Sequence, residues 1–88
     1  MRTVVGILRK EWMMEEVIIS VVNNAKFGGE GYKVKAVDAK EQVCKHYYRL
    51  VHEVPVFDAD HSFLNYDKAY AEVSDGLTIT TIQVLKVA

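Results

Sequence analysis

Three histidines, one cysteine and a glycine-rich run hold most of the chemistry that this 88-residue chain could perform. His52-Glu53 opens like the zinc-protease helix motif, in which a second histidine four positions on faces the same ion. That position is Val56, and Pro55 ends any helix before it. Cys44 and His46 stand two apart, which on a helix turns their side chains about 200° away from each other. Asp58-Ala59-Asp60-His61 gathers carboxylates and an imidazole, but a calcium loop needs more oxygen ligands and a glycine. The run reads as a solvated acidic turn. A minimal enzyme using His61 with Asp58 or Asp60 would need a pocket assembled between subunits. Cys44 falls at the edge of a helical apolar stripe, where a thiol behaves as a small hydrophobe rather than a thiolate. Ser20, Ser62 and Ser74 lack the flanking glycines of a nucleophile elbow. No catalytic residue, metal or cofactor is expected.

Gly28-Gly29-Glu30-Gly31 invites comparison with a phosphate cradle. A cradle, however, leads from glycines into a helix N-terminus, whose N–H groups and dipole hold the anion. This run leads into a strand and carries Glu30 at its centre, so a hairpin turn is the simpler reading. Lys26, Lys33 and Lys35 surround it, and Phe27 and Tyr32 offer flat surfaces for stacking a base. An anionic nucleotide or single-stranded nucleic acid held there is one functional expectation.

Apolar bulk that one core cannot absorb suggests another. Trp12, Met13 and Met14 are consecutive, and Tyr48 lies just outside the main helix stripe. Such residues often anchor protein interfaces, and Lys45 and Arg49 would flank them.

The elements that must position these groups follow from periodicity. Residues 3–9 read as a strand, and residues 10–16 fit strand, turn or helix. On a helical wheel the apolar residues between Trp12 and Val22 cover the whole circumference, which a small domain cannot bury. The β-branched residues of 15–22 instead favour a strand with both faces at least partly covered. Residues 23–31 form a turn region. Tyr32, Val34 and Ala36 then alternate with Lys33 and Lys35 in a half-buried strand over 32–37. Asp38 with Glu41 suggests a capping box. Val43, Tyr47, Leu50, Val51 and Val54 form a helical stripe that ends at Pro55. After an irregular segment over 56–64, Asn65 and Asp67 suggest the start of a second helix, with Tyr66, Ala69, Tyr70 and Val73 on its apolar face and Gly76 ending it. Residues 77–87 close the chain as a strand apolar on both faces. The predicted fold is α+β: a largely antiparallel sheet of about four strands with two helices packed on one face, in the order β-β-β-α-α-β.

Composition bounds the rest. Half of the residues are hydrophobic, and no repeat or linker divides residues 1–88, which read as one compact domain. A core this small leaves a thin stability margin that oligomerisation would supplement. The lone cysteine excludes an internal disulfide, and the longest apolar run is too short for a membrane helix, so a cytoplasmic setting is expected. The net charge of −1 divides unevenly, with +3 over residues 1–49 and −4 over 50–88. This suits self-association or a charged partner better than duplex nucleic acid. The leading functional expectation is a non-enzymatic binding or regulatory protein acting through a protein–protein surface. By analogy with small phage-encoded proteins, it could serve as an inhibitor or adaptor. The alternative is an oligomeric small-ligand binder.

Overall fold

In the computed structural model, residues 15–86 are described. Expectations for 3–9, and for Trp12, Met13 and Met14, lie outside this range. The described chain runs β1 (Glu16–Asn23), β2 (Glu30–Lys35), helix α1 (Ala39–Glu53), β3 (Phe63–Asn65), β4 (Tyr70–Ser74) and β5 (Ile79–Lys86), with 3-10 turns at Ala36–Asp38 and Ala59–His61. The strands form one five-stranded sheet in the order β2-β1-β5-β4-β3. Every pairing is antiparallel. β5 enters last yet lies at the centre, joining two hairpins that flank it. No helix among the described residues is long and apolar enough to cross a membrane.

Alternation along the strands explains why α1 covers only one side. Val17 and Ile19 on β1, Ala71 and Val73 on β4 and Ile82 on β5 point to the helix and are buried. Tyr32 and Val34 on β2 pack against this core from the sheet edge. The helix answers with Ala39 and Val43 buried, and with Tyr47, Leu50, Val51 and Val54 packed around them. Its predicted stripe is therefore the face that meets the sheet. The helix ends where expected: the Val54 N–H donates to the Leu50 carbonyl at 3.0 Å. Val54 itself turns to extended geometry (ψ 133°), as the residue before Pro55 must.

Three expectations are corrected. Asp38 makes no side-chain cap, because the 3-10 turn over Ala36–Asp38 already carries the chain into α1, with the Ala39 N–H donating to the Ala36 carbonyl. Among the described residues there is no second α-helix, and the strands number five rather than about four. Residues 63–74 fold instead as the β3–β4 hairpin. Asn65 does accept from the Lys68 N–H at 3.2 Å, but in a turn that closes with the Ala69 N–H on the Tyr66 carbonyl at 3.1 Å. Ala69 then takes a left-handed conformation (φ 51°), which a helix interior forbids. Short polar residues serve helix caps and turns through the same hydrogen bonds, so the sequence signal pointed both ways. Gly76 (φ 91°) sits in the β4–β5 turn rather than at a helix end. The described order is thus β-β-α-β-β-β.

Candidate functional site

On the helical side, the C-terminal half of α1, the β1–β2 hairpin and the β4–β5 turn enclose an open groove of about 860 Å³. The two turns are fastened together at its floor. Asn23 Nδ2 donates to the Thr78 and Thr80 hydroxyls, each at 3.0 Å. Asn24 bonds Ile79 twice, donating from its N–H at 2.9 Å and accepting at Oδ1 at 3.0 Å. Gly29 lies so close to β1 that a Cβ there would stand 2.6 Å from Val22 Cγ2. Lys26 and a fully exposed Phe27 overhang the groove, and Glu30, Tyr32, His46 and Arg49 line its wall.

The polar groups of this wall are engaged with each other. The Tyr32 hydroxyl donates to the Glu30 carboxylate, and its ring stacks on His46 with centroids 4.6 Å apart. The Glu30 hydrogen bond holds the Tyr32 phenol above its ordinary pKa, so it stays protonated. Burial, reinforced by the Arg49 charge, pushes the His46 imidazole below its usual value and favours the neutral ring. Arg49 Nε donates to Glu53 Oε1 at 3.1 Å, one helical turn on. Asp75 accepts the Thr78 and Leu77 N–H groups at 2.8 and 2.9 Å, which lower its pKa. These pairs close locally. None leaves a base poised against a nucleophile.

The Asp58–His61 pair sits elsewhere, in the 3-10 turn before β3, with Nδ1 2.6 Å from Asp58 Oδ2. Asp60 contributes its N–H to Asp58 Oδ1 rather than its carboxylate to a common site. Ser62 Oγ donates to the Asp58 carbonyl and accepts from the Ser74 N–H, a bridge that ties the turn to β4. Among the described residues no group of His, Cys, Asp and Glu is arranged to hold a metal ion. Cys44 is half-buried.

The residues proposed to hold a nucleotide divide between the two sides of the sheet. Lys26, Phe27 and Tyr32 belong to the groove, whereas strand alternation points Lys33 and Lys35 to the opposite face. Of the proposed partner anchors, Tyr48 is 53% exposed and meets Tyr47 edge-on at 5.2 Å. Lys45 is exposed beside it on the outer side of α1, and Arg49 is tethered to Glu53.

The second surface is one that periodicity alone did not reveal. No described helix covers the other face of the sheet. The registers lay out its rows: Lys35 and Glu16; then Lys33, Ile18 and Leu85; then Ser20, Gln83, Tyr70 and Asn65; then Val22, Thr81, Glu72 and Phe63; then Ile79 and Ser74. Val22 is 39% exposed, and Phe63 and Leu85 are each 46% exposed, so large apolar groups meet solvent across it. Tyr70, in the middle row, donates to Glu72 Oε2 at 2.6 Å while its ring lies 5.9 Å from Phe63. The legible signal was the bulk of β1 and β5 on both faces, which pointed to cover on both sides. Among the described residues, helix α1 covers one. No protein-family model matches the chain, and neither the curated proteins nor the solved structures include a significant match to it.

Proposed function

We propose that this chain is a binding protein that acts through macromolecular contact at the helix-free face of its sheet, rather than through bond-making. One observation carries the reading: among the described residues the five-stranded sheet has a helix on one face only, and Val22, Phe63 and Leu85 lie exposed on the other. A face on which large apolar side chains stay exposed among polar and charged ones has the composition of a non-obligate interaction surface. The titratable groups add support, because the close pairs they form are local and structural. The test compares capture by the immobilised protein and by its Phe63→Lys variant, with mass spectrometry of what is retained. A partner held by the wild type and released by the variant supports the reading; identical recoveries would refute it.

A second reading places a small ligand in the groove. Its support is the overhang of Lys26 and Phe27 above the stacked Tyr32 and His46. The charges there favour it less for an anion: Glu30, Glu53 and Asp75 outnumber Lys26 and Arg49 along the wall. A thermal-shift series with nucleoside mono- and triphosphates decides it. Stabilisation that rises with ligand concentration supports the groove, and a flat melting temperature removes it.

A further inference from the structure

Building on the contact role just proposed, we infer that the occupant of the helix-free face is a second copy of this chain, docked with its strands nearly at right angles to the first. The argument is the distribution of charge. Lys33 and Lys35 lie on edge strand β2, and neither makes an ion pair among the described residues. Glu72 stands on β4, across β1 and β5 and two rows further along. Glu16 of β1 stands opposite Lys35 on the same face and offsets part of its charge, which leaves Lys33 as the uncompensated cation of that corner. The face therefore has a net basic corner at Lys33 and an acidic corner at Glu72 on one diagonal, with Ile18, Leu85 and Tyr70 between them.

A two-fold axis lying in the interface and running diagonally to the strands exchanges those corners. It sets Glu72 of each copy against Lys33 of the other. The same operation lays Tyr70 on the partner's Ile18 and Leu85, and brings Phe63 over the aliphatic stem of Lys35. Sheets related in this way cross at about 90°, one of the two packings open to paired sheets. The other two-fold arrangements do less. An axis along the strands puts Glu72 over Val22, and an axis across them leaves Lys33 over the backbone at Gly29. Charge thus selects the diagonal.

The size of the face agrees. Strands about 4.8 Å apart and roughly six residues long give an area on the order of 500 Å². Two such faces amount to about 1,000 Å², the lower bound for a specific interface. A weak, concentration-dependent dimer is expected rather than an obligate one.

Sedimentation velocity over a wide concentration range tests this, with circular dichroism to verify that each variant is folded. The wild type should dimerise, and Leu85→Lys should raise the dissociation constant about 100-fold. Lys33→Glu and Glu72→Lys should each weaken the dimer about 10-fold, while the double variant, which re-pairs the charges, returns to within roughly 3-fold of wild type. A wild type that stays monomeric throughout overturns the inference. So does a dimer indifferent to Leu85→Lys, or a double variant as weak as the sum of its parts. If the chain is monomeric yet Phe63→Lys still releases a captured protein, the second copy is wrong and the contact role stands; if the variant releases nothing, both fail.

Discussion

Gly29 shows how closely the groove hairpin is fitted to β1. A methyl group there would press on Val22 Cγ2 at 2.6 Å and on the Val21 carbonyl oxygen at 2.9 Å, and that second neighbour is backbone that cannot rotate away. Gly29→Ala should therefore cost about 1–3 kcal/mol, read as a lower urea midpoint. An unchanged midpoint would show that the hairpin yields freely. Asp75 makes a separate prediction. Backbone N–H groups from Thr78 and Leu77 lower its pKa in the folded chain. A depressed carboxylate contributes stability that is fully present above the unfolded pKa and is lost as pH falls through the folded value. Asp75→Ala should therefore be more destabilising at about pH 7 than at about pH 2. Equal losses at both would mean that the carboxylate charge is immaterial to the turn.

Between elements, the decisive distinction is which face of a strand meets α1. Ile82, fully buried at the centre of β5, faces the helix. Ile82→Ala should cost about 2–5 kcal/mol, a large share of the stability of a domain this small, measured by chemical denaturation. A loss below about 1 kcal/mol would contradict its place in the core. Ala69 separates the hairpin from the helix suggested by its neighbours. In a helix interior Ala69→Gly would cost about 1 kcal/mol, but at φ 51° glycine relieves backbone strain and offsets the lost methyl packing. Stability should stay within about 0.5 kcal/mol of wild type by the same measurement.

The α1 stripe and the alternation of Tyr32 and Val34 with Lys33 and Lys35 were legible because each segment fits a single period. Residues 65–73 fit two. Tyr66, Ala69, Tyr70 and Val73 are spaced for a helix, while Ala71 and Val73 also alternate correctly for a strand, and Asn65 serves either. Nothing local breaks the tie; pairing of β4 with β5 does. The helix-free face was hidden for a related reason. Bulk on both sides of β1 and β5 marks apolar residues on two faces, but which face a helix covers is set by tertiary packing that no local period encodes.

At the scale of the molecule, the described residues form an asymmetric two-layer arrangement: one face of the sheet is closed by α1 and the other carries exposed Val22, Phe63 and Leu85 among polar groups, with the groove groups paired among themselves. Isoleucines offer the most direct probe, because Ile18 and Ile79 belong to the outward face while Ile19 and Ile82 are buried beneath the helix. Methyl spectra of isoleucine-labelled protein, followed from dilute to concentrated solution and then with any captured partner, report on both sides at once. The account predicts that the Ile18 and Ile79 methyls shift on binding while those of Ile19 and Ile82 hold still. Shifts confined to groups around the groove, with Ile18 and Ile79 unmoved, would contradict it.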